Sequence, residues 1–249
     1  MNNNSLYNDH FPYLKETEYF RFPGVEFANP SGIIAIGGNL SPGMLLSAYK
    51  QGIFPWYSEH EPLLWWSPDP RLILFPKELH ISKSMQKIMK KISENGLFNI
   101  TIDNNFKNVI SECSKAYRKD QKGTWITKDM QNAYYKLHEL GFAHSIEVWQ
   151  DSRLVGGLYG ISIGNFFCGE SMFANVSNAS KAGLIALTNV LQKKGFSFID
   201  CQVATPHLES LGAKEIPRKK FLKLLENSLK EKTIIGNWGN IFGDFPDLL

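Results

Sequence analysis

The sequence predicts an α+β fold with a central mixed sheet, preceded by a small α/β unit. Three observations point there. Residues 143–173 hold three strand-like runs joined by two tight turns, Asp151-Ser152 and Gly164-Asn165, which makes an antiparallel meander. A helical stretch opens at Asn178-Ala179-Ser180, runs to about Lys194, ends at Gly195 and leads into an apolar strand over Phe198 to Val203. Ahead of all this, one short buried strand, one helix and a proline-dense aromatic segment form a separate small unit.

Each element has its own warrant. Pro30-Ser31-Gly32 leads into Ile33-Ile34-Ala35-Ile36, a short strand ended by Gly37-Gly38-Asn39. Ser41-Pro42 starts a helix, with serine as N-cap and proline at the first helical position, and Gly52 stops it. Phe54-Pro55-Trp56-Tyr57 and the run from Leu63 to Arg71 carry too many prolines for helix, so their rings sit on extended or turning backbone. Such rings suit packing between the two units, or, for one of them, a stacking platform for a ligand. Leu72 to Phe75 reads as a strand, Ser82 to Lys91 as a helix, and Ile100-Thr101-Ile102 as a strand. Phe106 to Tyr117 is a helix with apolar spacing at Val109, Ile110 and Cys113. Lys119 to Gly123 is a polar loop, and Thr127 caps a helix through Leu140 that Gly141 ends. His207 to Leu211 and Arg218 to Lys230 are helical. The split falls near Phe75-Pro76, giving an N-terminal unit over 1–75 and a larger domain over 76–249.

The chain of 249 residues has 43% apolar content, enough for a sizeable core. No apolar run approaches the roughly 20 residues that span a bilayer, so no membrane association is expected. Met1-Asn2-Asn3-Asn4-Ser5 has neither a basic nor an apolar leader character, so no secretory signal is expected. Cys113, Cys168 and Cys201 are far apart and match no metal spacing, which points to a reduced, cytoplasmic, metal-free protein. Net charge is +3, too small to mark a nucleic-acid binder by itself. Its distribution is uneven: Lys77, Lys83, Lys87, Lys90 and Lys91 crowd one segment, and Arg118, Lys119 and Lys122 another. Such runs fit solvated surface or a phosphate-binding face.

The chemistry concentrates between Gly141 and Gln202. Glu170 lies in the strand run Gly169-Glu170-Ser171-Met172-Phe173, and Asp200-Cys201-Gln202 closes the later strand. Asp200 and Gln202, two apart on a strand, project to one face. Carboxylates and an amide at strand ends, among aromatics, suit a cationic or amine group held beside an apolar one.

Several strings resemble the leucyl/phenylalanyl-tRNA–protein transferase family. They are Phe54-Pro55-Trp56, Trp65-Trp66-Ser67-Pro68-Asp69-Pro70-Arg71, Gly123-Thr124-Trp125-Ile126-Thr127, Ala143-His144-Ser145-Ile146-Glu147, Gly156-Gly157-Leu158-Tyr159-Gly160, Cys168-Gly169-Glu170-Ser171-Met172-Phe173, Asn178-Ala179-Ser180-Lys181 and Asp200-Cys201-Gln202. Ser210-Leu211-Gly212-Ala213 and Glu215-Ile216-Pro217-Arg218 join them. The likeness runs in order over roughly residues 25 to 225.

The resemblance implies an acetyltransferase-like (GNAT-type) C-terminal domain after a small family-specific domain. It also implies transfer of Leu or Phe from Leu-tRNA or Phe-tRNA to proteins with N-terminal Arg or Lys, which marks them for degradation, in a monomer without cofactor. It places Asp200 and Gln202 as the catalytic pair, the carboxylate polarising the amide so that the amide carbonyl can take a bond from the attacking amine. Glu170 takes the position of a carboxylate contacting the amine or the acceptor. Leu158, Met172 and Phe173 are candidates for the donor side-chain slot, with Trp56 and Trp125 nearer the tRNA 3′ end and Ser180 for the terminal adenosine. Leu158 stands where the best-known member of the family has methionine; the two are close in volume. Lys83, Lys87 and Lys90 are the tRNA-contact candidates. His80, His144 and His207 read as structural, because no Ser or Cys nucleophile stands at a suitable spacing. Two rivals remain. An acetyl-CoA-dependent enzyme wants a glycine-rich loop before the helix after the meander, where this chain has Asn175-Val176-Ser177-Asn178. An RNA-binding module gives Glu170, Asp200 and Gln202 no role.

Overall fold

The computed structural model describes residues 11–116 and 124–243. Tyr117, the basic group Arg118, Lys119 and Lys122, and the loop to Gly123 lie outside the described residues. In chain order the elements are β1 (Ile33–Ile36), α1 (Pro42–Lys50), β2 (Phe54–Pro55), β3 (Leu64–Trp66), β4 (Arg71–Leu74), α2 (Lys83–Asn95), β5 (Asn99–Ile102), α3 (Phe106–Lys115), α4 (Lys128–Glu139), β6 (Ala143–Gln150), β7 (Arg153–Ile163), β8 (Phe166–Ala174), α5 (Ala179–Lys193), β9 (Phe198–Gln202), α6 (Pro206–Glu209), β10 (Lys214–Ile216), α7 (Arg218–Ser228) and α8 (Trp238–Phe242).

Two sheets result. A small antiparallel one has the order β1-β3-β2, and a seven-stranded one the order β10-β4-β9-β8-β7-β6-β5. Residues 71–74, which the sequence pattern puts with the N-terminal unit, form β4 of the large sheet. Every adjacent pair there is antiparallel except β8 and β9, which α5 connects in parallel. A meander followed by a crossover helix and a parallel neighbour is the acetyltransferase-like arrangement that the resemblance implies.

Apolar layers cover both faces of this sheet. One, built from α1, α3, α4 and α7, buries Tyr159, Ile161, Cys168, Phe173 and Phe198. The other, built from α2, α5 and α8, buries Leu158, Phe167, Ile199 and Cys201. This is why β7 reads as an almost continuous apolar run. The meander turns are tight because Asp151 and Ser152 adopt φ 48° and 63°, the left-handed pair of a two-residue hairpin. Trp65 is buried, edge-on to Phe22 at 4.9 Å, with its indole N–H on the Gly37 carbonyl at 2.8 Å. No helix among the described residues is long and apolar enough to cross a membrane.

Candidate functional site

Irregularities in two strands build the site. β8 and β9 pair through Phe166↔Phe198, Phe167↔Ile199 and Cys168↔Asp200, and the pairing stops there. On its other side β8 slips against β7, passing from Tyr159↔Ser171 to Gly160↔Gly169, which leaves Glu170 as the extra residue of a bulge. β9 slips against β4 between Gln202↔Leu72 and Asp200↔Ile73, and Gln202 adopts φ 65°. A bulge bends its strand and re-aims a side chain. With one on each strand, Gly169–Met172 and Cys201–Val203 part and form two walls of a cavity of about 300 Å³.

The cavity has an apolar wall and a polar corner. Leu158, Phe167, Met172, Leu184, Leu187 and Ile199 supply the first, Glu170 and Gln202 the second, and Trp56 and Trp125 also line it. Trp56 is braced by Trp66, 5.3 Å away, whose indole N–H bonds the Trp56 carbonyl at 2.6 Å.

Glu170 is 7% exposed. Its Oε1 accepts from the Tyr49 hydroxyl at 2.8 Å and from Gln202 Nε2 at 3.1 Å; its Oε2 accepts from the Tyr134 hydroxyl at 2.9 Å. The two phenol oxygens also lie in close contact with each other. Burial raises the carboxyl to about 7, against the lowering by the phenol hydrogen bonds, and Asp200 pushes in the same direction as burial. Burial first, and then the Glu170 charge, hold Tyr49 and Tyr134 well above the usual phenol range, so both stay donors.

Asp200 needs a correction. It does not line the cavity and does not touch the Gln202 side-chain amide. Arg71 takes it, Nε to Oδ1 at 2.8 Å and Nη2 to Oδ2 at 2.6 Å, and Oδ1 also accepts the Gln202 backbone N–H at 3.0 Å. Glu170 is the carboxylate that meets the amide, which leaves Gln202 Oε1 as the carbonyl facing a ligand. Burial opposes the charge of Arg71, but Asp200 more than offsets it.

Two other expectations shift. Phe173 is packed in the layer on the opposite face of the sheet, because the extra residue at 170 reverses the alternation: Phe167 and Met172 share a side although five apart. Ser180 is not on the cavity wall; it lies in the first turn of α5, whose N-cap is Asn178 at φ 70°. Among the histidines, His144 is buried, with Nδ1 on Asp103 at 2.8 Å and its ring stacked on Trp238 at 3.7 Å. His207 instead lines the cavity; its Nε2 is buried without a partner among the described residues, and burial followed by nearby Lys181 lowers its pKa. Lys83, Lys87 and Lys90 are exposed on α2, away from the cavity lining, and Lys90 pairs with Glu94 at 3.6 Å.

Sequence reasoning missed Tyr49, Tyr134, Arg71 and His207. One signal was present: Arg71 opens an otherwise apolar strand, and a buried cation demands a carboxylate. The tyrosines sit on distant helices and gave none.

An apolar recess beside an acid-and-amide corner suits an acyl donor with an apolar side chain and an amine acceptor. Comparison with known proteins agrees. The family model described as leucyl/phenylalanyl-tRNA protein transferase matches residues 73–226, and that of its N-terminal domain matches residues 38–69. A protein of Syntrophus aciditrophicus named leucyl/phenylalanyl-tRNA–protein transferase is 54% identical over 87% of this chain and 89% of its own. One of the same name from Flavobacterium johnsoniae is 54% identical over 83% and 95%. Among solved structures, an aminoglycoside acetyltransferase from a soil metagenome aligns at 12% identity over 47% of this chain and 85% of that one, with TM-score 0.35. L-PGS from Bacillus licheniformis aligns at 12% identity over 64% and 56%, with TM-score 0.38. The two sequence relatives and the family models, matched across both parts of the chain, place it in the leucyl/phenylalanyl-tRNA–protein transferase family.

Proposed function

We propose that this chain transfers leucine or phenylalanine from aminoacyl-tRNA to the α-amino group of proteins beginning with Arg or Lys, marking them for degradation, and works as a cytoplasmic monomer. The observation that carries the reading is the junction of the apolar wall with the Glu170–Gln202 corner in one cavity. The donor side chain packs against Leu158, Met172 and Leu184, and the ester end lies toward Trp56 and Trp125. Gln202 Oε1 takes a hydrogen bond from the acceptor amine. Glu170 holds the amide in that orientation and adds negative charge facing a basic first residue. Lys83, Lys87 and Lys90 contact the tRNA.

The chemistry is aminolysis of an activated ester. The amine nitrogen forms a bond to the acyl carbon, the bond from that carbon to the ribose oxygen breaks, and one proton passes from nitrogen to that oxygen. An α-amino group titrates at roughly 7.7–8.0, so a neutral fraction is already present near neutrality. Aligning it with the ester supplies several kcal/mol of the barrier. The ester is activated before it arrives, so this scheme calls for no metal or redox cofactor.

The test is transfer of labelled amino acid from a panel of charged tRNAs to peptides differing only at their first residue. Leu and Phe donors with Arg- or Lys-starting peptides are expected to react. Equal transfer to an Ala-starting peptide would overturn the acceptor assignment, and equal transfer of a charged amino acid would overturn the donor assignment.

A further inference from the structure

Arg71 is a buried cation to which the aminolysis scheme gives no task. It is 1% exposed and opens the otherwise apolar β4. Its guanidinium carbon stands 4.7 Å from the Phe54 ring centre and 4.6 Å from that of Phe221, so both rings contact the group. The fork then grips both oxygens of Asp200, at 2.8 and 2.6 Å. Asp200 Oδ1 in turn accepts the Gln202 N–H at 3.0 Å, at the residue where φ is 65°. A non-glycine residue enters that conformation only when something holds it there. From this bend the Gln202 side chain reaches Glu170 at 3.1 Å and Cys168 Sγ at 3.4 Å.

We propose that Arg71 is a positioning residue for the transfer reaction: through Asp200 it fixes the bend at Gln202 and thereby the direction of the Gln202 carbonyl into the cavity. Two further observations support this over a purely stabilising pair. A buried ion pair is a poor source of stability, whereas a two-point arginine fork is a good source of direction. Arg71 Nη1 is also buried without a partner among the described residues, so the guanidinium is not placed to satisfy its own hydrogen bonds. Neither Arg71 nor Asp200 lines the cavity. The pair therefore acts at one remove, and it separates turnover from donor binding.

The inference rests on the site reading above, and its test separates the two. Single-turnover transfer of leucine from Leu-tRNA to an Arg-starting peptide is measured for full-length chains carrying Arg71→Lys, Asp200→Asn, both together, or Gln202→Ala. Arg71→Lys keeps the buried charge, so the chain folds, but it loses the fork. The expected result is a drop of about tenfold or more for Arg71→Lys, with donor KM within about twofold of wild type. The double variant is expected to be no slower than the slower single one, because both act on one chain of contacts. Wild-type turnover in Arg71→Lys, a loss confined to donor KM, or losses that multiply in the double variant would each overturn the proposal. If Gln202→Ala also transfers normally, the site reading itself fails. If Gln202→Ala is inactive while Arg71→Lys is not, only the role of Arg71 falls.

Discussion

Glu170 is pulled two ways, and the balance makes it titrate where cells operate. Three donors favour the carboxylate, yet burial lifts it from 4.5 to about 7. A pKa higher in the folded than in the unfolded chain means that the native state holds the proton more tightly. The stabilisation is fully present below pH 4.5 and is lost as pH rises through 7, about 3 kcal/mol in all. Glu147, also raised to about 7 by burial, loses stability in the same window, so the readout is the difference between variants. Thermal melts should show the advantage of Glu170→Gln over wild type growing between pH 4.5 and 7 and then levelling; parallel curves would contradict the assignment. The apolar wall gives a second expectation. Met172→Ala removes methylenes from it and should raise donor KM tenfold or more, at about 1–3 kcal/mol per methylene. An unchanged donor KM would place the donor side chain elsewhere. Glu170, Gln202, Leu158 and Met172, which line the cavity, were legible in the sequence through their motif positions. The phenols on Glu170 were not, since a tyrosine on a helix looks like ordinary core until the helix is docked.

At the scale of elements, most strands and helices follow from local chemistry. Thr127 caps α4 by accepting the Met130 N–H at 3.3 Å, and Ser82 does the same for α2 with Met85 at 3.3 Å. What local pattern cannot show is where a regular strand gains a residue. Phe166 to Phe173 alternates plausibly throughout, so the bulge at Glu170, and with it the turn of Phe173 to the opposite face of the sheet, depends on pairing with β7. The short elements β10 and α8 were equally invisible. β10 exists because β4 offers it an edge, and Asp103, far away in sequence, accepts the Trp238 N–H at 2.7 Å to anchor α8. The packing of one helix on one strand makes a sharp prediction. A Cβ at Gly156 would lie 2.6 Å from the Ala179 Cβ and 3.1 Å from its carbonyl carbon, so α5 can sit on β7 only over glycine. Gly156→Ala should lower stability by about 1–3 kcal/mol in denaturant melts. An unchanged midpoint would show that α5 can retreat freely, and the cavity wall it carries would then not be fixed.

For the whole molecule, the α+β class and the mixed sheet were readable because meander, helix and strand follow one another in sequence. The position of β4 was not: a four-residue apolar run after a proline-rich segment does not say which sheet it joins. Only in the assembled sheet does β4 bring Arg71 to Asp200. The exposed lysines of α2 belong to this scale too. If they bind the tRNA backbone, the double change Lys83→Ala and Lys87→Ala should weaken tRNA binding. It should also reduce the slope of log affinity against log salt by about one for each phosphate no longer neutralised. An unchanged slope would move the RNA to another face.

Single-turnover transfer of leucine to an Arg-starting peptide by Glu170→Ala and Gln202→Ala, with Leu-tRNA affinity measured in parallel, tests the shared cavity most directly. Both variants should bind the donor like wild type and transfer at least about a hundredfold more slowly. Wild-type transfer by both would contradict a reaction at this corner.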